Sequence, residues 1–350
     1  MRRMSEQHRL LDWLVTSGET KALVASVIHV EGSAYRHQGA QMIIGESGRM
    51  TGMISGGCLE EDLRIHAFQC MKEMKTAVVD YDMRAEDDLG WGKGAGCNGK
   101  VYVSLNPLDL TDSGTDRRLA SALERIGRGE TLYRVTALDE HAGPPMFVKE
   151  DGTPLSERDD ALKPALIREK DGPAVQVSHG DKGRILVERI TPKTRVYVFG
   201  AGIDAEPVVR QLAALDFDVI VTDTVRERLD RTLFPDASGF RWLSPDDFFQ
   251  CEEIREGSFA LVMTHRFQDD QVLLRGLVER REQFAYAGIL GPRRRTRRLV
   301  AGGQIPDWLH SPVGLDIGAD GAEEIAVSIA AELIRVRRNQ AQTKSEQAVM

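Results

Sequence analysis

Apolar positions recur along this chain at helical and strand periods, and their changes of period predict its elements. Leu10, Leu11, Leu14 and Val15 fall on one side of a short helix over residues 5–17. Lys21 to Val30, rich in Val, Ala and Ile, predicts a strand. A glycine-bearing loop at 31–40 leads to a hairpin, with arms at 41–44 and 49–54. Leu59, Leu63, Ala67, Cys70 and Met74 then recur every three or four positions, which is a helix stripe. Strands are predicted at 76–81 and 101–105, with Asn106-Pro107 closing the block. Between them DDLGWGKGAGCNGK carries too many glycines for a regular element and predicts a loop shaped around something. Further on, 116–128 predicts a helix, and 131–137 with 145–149 a strand pair. The polar stretch 156–183 predicts surface excursions.

The character changes at Pro192. Arg195 to Phe199 is an apolar strand, followed by GAGIDAEPVVRQLAALDFDVIVTD. Gly200, Gly202 and Ala205 fill the G-x-G-x-x-G/A pattern between a strand and a helix. The first glycine suits a tight turn, and the second lets backbone approach a pyrophosphate at the helix N-terminus. Asp223 ends the next strand, where a carboxylate would hold a ribose diol. Asp204 and Glu206 crowd negative charge near such phosphates, so the pattern argues for the fold more strongly than for bound NAD(P). Strands at 259–263 and 283–287, a helix over 270–281 and a closing helix over 322–338 continue the alternation. Alternating strands and helices imply a parallel sheet. The predicted fold class is α/β: a mixed α/β domain over 1–190, with an intervening segment from about 109, then a Rossmann-like domain over 191–340 and a polar tail at 341–350.

Composition narrows the setting. The chain has 350 residues, ample for two domains. A formal net charge of -8 offers no basic field for nucleic acid. The start is not a secretory signal, and no apolar run reaches bilayer-spanning length. Cys58, Cys70, Cys97 and Cys251 form no CxxC and no zinc cluster, which suits a reducing cytoplasm. A soluble cytoplasmic protein is expected, without nucleic-acid or membrane partners.

Two cysteines and one histidine stand where chemistry is expected. Cys58 follows Gly56-Gly57 and precedes a helix whose first turn holds Glu60, Glu61 and Asp62. A thiol at a helix N-terminus becomes a more accessible thiolate, although a small buried cysteine at a tight turn fits as well. Cys70 lies on the apolar stripe and is expected in the core. Cys251 sits in a charged loop without a partner. His265 should emerge at the carboxyl end of its strand, the edge where open α/β sheets place ligands. Asp270 could orient its imidazole; alternatively, both residues belong to the start of the following helix.

The motifs as a set resemble the XdhC/CoxI family, maturation factors of molybdenum hydroxylases such as xanthine dehydrogenase. The resemblance covers nearly the whole chain. It rests on GSAYRHQGAQMII, GMISGGCLEEDL and WGKGAGCNGKVYVSLNPL in the first half. In the second half it rests on VYVFGAGIDAEPVVRQLAAL, VMTHRFQDD, YAGILGPRRRTRR and LHSPVGLDIGADGAEEIAVSIAAELI. Two positions depart from the family pattern: Gly291-Pro292 stands for Gly-Ser, removing a hydroxyl and a backbone donor and so weakening a phosphate role there, and Gly321-Ala322 stands for Thr-Pro, a changed helix entrance.

The resemblance implies an XdhC/CoxI domain followed by a Rossmann-like XdhC domain, commonly in a homodimer. It implies binding and protection of molybdenum cofactor, as molybdopterin or its dinucleotide form. It further implies support of sulfuration, with a cysteine desulfurase as candidate partner, and delivery to the large subunit of a molybdenum hydroxylase. An accessory protein without independent catalytic turnover is expected, since no Ser-His-Asp ordering, metal triad or paired catalytic carboxylates stands out in the sequence. Such a cofactor needs donors for its phosphate, soft groups near the metal and cover from oxygen. Cys58 behind Gly56 and Gly57, and Cys97 in the loop of Gly96 and Asn98, would meet it if the loops converge, as contacts or transient molybdenum ligands. Arg36 and Gln38 are candidate phosphate or pterin contacts, Trp91 a stacking or covering ring. The basic run 293–298 would meet phosphate or an acidic partner, or form a solvated helix face, and His310 stands near the same sheet edge. The rival reading is an NAD(P)-dependent oxidoreductase using Gly200, Gly202 and Asp223, with His265 as general acid. A nucleotidyltransferase would require a phosphate loop and metal carboxylates, which the sequence does not present.

Overall fold

The computed structural model describes residues 5–84, 99–138, 144–156, 175–180, 183–300 and 304–347. The chain divides into two compact units, Met1–Pro192 with Ser345–Met350, and Lys193–Lys344.

In the first unit, α1 (Ser5–Thr16) precedes β1 (Lys21–Gly32), β2 (Gln41–Gly45) and β3 (Met50–Gly52). There follow α2 (Glu60–Glu73), β4 (Ala77–Asp82), β5 (Gly99–Asp109) and α3 (Ser113–Gly127). The five strands form an antiparallel sheet in the order β3-β2-β1-β5-β4. Both faces of β1 are covered, which is why its apolar residues run without polar alternation. Leu23, Ala25 and Val27 pack with Leu63, Ala67 and Cys70 of α2. Ala22 and Val24 pack with Leu10, Leu11 and Leu14 of α1, and with Leu119 and Ala122 of α3. Each such Leu or Val side chain fully buried is worth roughly 1.5–3 kcal/mol. A second antiparallel sheet, β7-β6-β9-β8, contains β6 (Leu132–Ala137), β7 (Met146–Lys149), β8 (Val175–Gly180) and β9 (Gly183–Ile190).

Two expectations change here. β5 runs through Asn106 and Pro107 to Asp109, pairing Pro107 with Leu23 of β1. β4 ends its pairing at Leu105, so Pro107 has one neighbour only and its missing N–H costs no ladder bond. Part of the expected surface excursion is instead β8, which pairs with β9.

The second unit carries β10 (Arg195–Phe199), α4 (Ala205–Ala214), β11 (Asp218–Asp223) and β12 (Gly239–Trp242). Next come α5 (Pro245–Cys251), β13 (Ser258–Val262), α6 (Phe267–Glu279) and β14 (Phe284–Ile289). α7 (Arg293–Leu299), β15 (Leu309–His310) and α8 (Gly321–Gln347) complete it. Its six parallel strands lie in the order β12-β11-β10-β13-β14-β15. Counted along the chain this is 3-2-1-4-5-6, the Rossmann order, with the switch point between β10 and β13. Val196 and Val198 face α4 and α8 through Val208, Leu212, Ile329 and Leu333. Tyr197 and Phe199 face the opposite layer, through Phe248, Leu273, Leu277 and Leu299. α8 continues to Gln347, past the end expected at 338 and into the expected polar tail, through residues that are mostly good helix formers.

Candidate functional site

The Cys58 loop is built around one carboxylate. Glu60, the first residue of α2, accepts the amides of Ser55 at 2.7 Å, Gly57 at 3.1 Å, and Ile54 and Leu59 at 3.2 Å. The Ser55 hydroxyl also donates to Glu60 and accepts the Leu59 amide at 2.9 Å. Burial works against Glu60 ionisation, but the bonds from Ser55 and Ile54 outweigh it and hold its pKa below the usual range. Gly57 takes a φ of +109°, a conformation glycine adopts without strain. Cys58 itself is exposed. It stands one position before the α2 N-cap, Leu59, at the helix N-terminus. The amide donors of Gly57 and Leu59 are engaged by Glu60 and Ser55, so the loop presents the thiol rather than an anion nest.

Around that loop, a Cβ added to Gly56 would meet the Tyr35 ring at 3.7 Å. Arg36 is buried in the β1–β2 connection, whereas Gln38 is exposed. Cys70 is buried on α2, where burial, with Glu73, pushes its thiol pKa up. Trp91, Gly96, Cys97 and Asn98 lie outside the described residues, as therefore does any convergence of the two cysteine loops.

At the switch point of the second unit, Gly200 has a φ of +109° and its added Cβ would lie 2.5 Å from the Met263 carbonyl oxygen. Glycine is required there because the exits of β10 and β13 touch. An added Cβ on Gly202 would meet only the Asp204 side chain, at 2.7 Å, and Ala205 opens α4 fully buried. Asp223 is buried, and its two oxygens accept the amides of Ala201 and Val225, each at 2.8 Å. Arg228 and Arg266 stand 3.9 Å from it. The carboxylate expected on a ribose pins the glycine turn through these two amides. Beside it, bounded by Gly200, Thr264 and Arg266, remains a cavity of about 10 Å³, room for about one water.

His265 stands beyond β13 with a φ of +58°, left-handed backbone that costs a non-glycine residue roughly 1 kcal/mol. Its Nε2 lies 2.6 Å from Asp204 Oδ2. The imidazole's carboxylate partner is thus Asp204 and not Asp270. Asp270 is buried, accepts the Thr264 hydroxyl at 2.5 Å and pairs with Arg295 of α7. It fixes the segment before His265 from below and does not reach the ring.

A cleft of about 1180 Å³ lies beyond β14 and β15. His310 lines it, with Nδ1 bonded at 3.0 Å to Glu332 of α8 and its ring 4.5 Å from that of Tyr286. Glu332 also accepts the Tyr286 hydroxyl at 2.6 Å, the Gly314 amide at 2.8 Å and Arg335 at 3.0 Å. Burial opposes its ionisation, yet these bonds, led by His310, bring its pKa down to about 2. The Tyr286 hydroxyl is pushed well up by burial beside that charge. Glu332 escaped the sequence reading, although a glutamate between Ile329 and Leu333 on an apolar stripe was a signal that could have found it. Among the described residues, no three His, Cys, Asp or Glu side chains form a metal site, and no helix is long and apolar enough to cross a membrane.

Comparison with known proteins accords with this architecture. Residues 15–82 match the model of the XdhC and CoxI family, and residues 196–333 that of the XdhC Rossmann domain. A Bacillus subtilis protein, named as a probable subunit of xanthine dehydrogenase, is 34% identical over 336 residues, covering 96% of this chain and 98% of its own length. A crystal structure from Bacillus halodurans, described as a xanthine dehydrogenase, superposes with a TM-score of 0.81 at 36% identity, over 95% of this chain and 96% of that one. The Escherichia coli molybdenum cofactor insertion chaperone PaoD is 29% identical over 87 residues, 25% of this chain and 26% of that protein. The chain belongs to the XdhC and CoxI family.

Proposed function

We propose that this protein binds molybdenum cofactor, shields it, supports its sulfuration and delivers it to the large subunit of a xanthine dehydrogenase-type hydroxylase. It does so in the cytoplasm, as a homodimer, with a cysteine desulfurase as sulfur donor. The observation that carries the reading is the exposed Cys58 thiol on a loop held rigid by Glu60. A soft ligand suits a molybdenum–dithiolene centre, and a loop held before the cargo arrives loses little entropy on binding. Family membership and the partial likeness to a cofactor insertion chaperone support the same reading. Cys97 is the second thiol of the proposal.

The oxidoreductase reading finds less support. The Asp223 carboxylate is committed to two backbone amides, and the adjoining cavity is far below the size of a dinucleotide. The test is transfer: cofactor-loaded protein, kept anaerobic, should restore activity to a cofactor-free hydroxylase. Activity restored equally by free cofactor alone, at the same concentration, contradicts a delivery role.

A further inference from the structure

We propose that the cleft beyond β14 and β15 binds a small molecule carrying a phosphate at one end and an amino-substituted heterocycle at the other. The inference rests on the preceding reading only for the identity of that ligand, the cofactor's phosphate-bearing pterin portion or the nucleotide of its dinucleotide form.

The chemistry of the lining selects this class. Arg293 and Arg297 on α7 border the cleft, and both are exposed. The Arg293 Nε holds the Ser311 carbonyl at 3.0 Å, which fixes that side chain along the wall. Guanidinium groups suit phosphate through paired N–H donors. The cations at this wall are the Arg293 and Arg297 side chains. Asp307 and Asp316 border the same cleft. Carboxylates accept hydrogen bonds from the amidine-like edge of a guanine or a pterin, so acidic and basic groups together fit a ligand with both ends better than a bare anion. Ile305 and Ile317 add apolar surface for a flat ring.

His310 supplies the third kind of contact. Its Nδ1–H donates to the ionised Glu332, which fixes ring orientation and tautomer. That leaves Nε2, on a residue that lines the cleft, with no partner among the described residues. Gly314 supports the arrangement: its φ is +97°, and an added Cβ would collide with Ser328 of α8. A volume of about 1180 Å³ accommodates a ligand of nucleotide size.

The test is equilibrium binding of three probes, 6-hydroxymethylpterin monophosphate, guanosine monophosphate and inorganic phosphate, to the full chain and to Arg297→Ala and His310→Gln. At least one organic phosphate should bind more tightly than inorganic phosphate, and each substitution should weaken it tenfold or more. Preference for the pterin or for the nucleotide identifies which portion of the cofactor the cleft takes. Asp316→Asn should weaken the amino-substituted ligands and leave inorganic phosphate unchanged. Arg297 has an exposed side chain, so circular dichroism of that variant should match wild type and separate lost binding from lost folding. No binding of any probe, or binding indifferent to both substitutions, overturns the inference. Cofactor binding that responds to Cys58→Ala but not to Arg297→Ala or His310→Gln overturns it too, while leaving the proposed function standing. Probe binding in the cleft of a protein that does not bind the cofactor has the opposite meaning.

Discussion

The Glu60 carboxylate accepts the Ser55 amide at 2.7 Å and, through three further amides, holds the whole turn that ends in Cys58. Removing this acceptor leaves several donors of a half-buried loop to find water. Glu60→Ala should therefore lower unfolding stability by about 1–3 kcal/mol. It should also change the rate at which Cys58 reacts with a thiol reagent, because the loop no longer holds one conformation. Urea unfolding and thiol-labelling kinetics check both parts.

Glu332 gives a pH dependence with a definite sign. Its pKa is about 2 in the folded protein against 4.5 ordinarily, so the unfolded chain takes up the proton first as the pH falls. The stabilisation is complete above pH 4.5 and is lost progressively toward pH 2. At about 1.4 kcal/mol per pH unit, it amounts to roughly 3 kcal/mol. Glu332→Gln should be destabilised relative to wild type at pH 6, with a gap that narrows below pH 4.5. Denaturant titrations across that range measure it.

Asp223 should behave as a structural residue. Asp223→Ala leaves the buried Ala201 amide and the Val225 amide without their acceptor and should cost about 2–4 kcal/mol. Titration of wild-type protein with NADH, followed by fluorescence, should show no saturation. Saturable NADH binding abolished by Asp223→Ala without loss of stability contradicts this assignment.

Arg134 and Glu188 form a buried pair in the first unit, 5% and 1% exposed, with Gln41 donating to the same carboxylate at 2.5 Å. Arg134→Met should destabilise by about 3–5 kcal/mol, because an unpaired charge remains inside. Adding Glu188→Leu should recover much of that loss, which a double-mutant cycle measures.

Local periodicity made much of the fold legible from the chain alone. The Leu63, Ala67, Cys70 stripe is the buried face of α2, and the β10–turn–α4–β11 run lies in a parallel Rossmann-order sheet. β12 escaped because its residues are all only partly buried or exposed, so no apolar run marks it. The candidate sites were read less completely, since their contacts are made by residues far apart in the chain. Asp204 meets His265 across 61 positions, and Glu332 meets His310 across 22. Asp270 was the nearer carboxylate in sequence, but α6 turns it inward to Thr264 and Arg295.

The central claim is that the Cys58 thiol is presented to meet the cofactor. Its most direct test is anaerobic binding of molybdenum cofactor to the purified protein, with Cys58→Ala and Cys97→Ala beside wild type. Saturable binding to wild type, weakened tenfold or more by Cys58→Ala in a protein of unchanged stability, is the result expected. Undiminished binding by Cys58→Ala, or no binding by wild type, would contradict it.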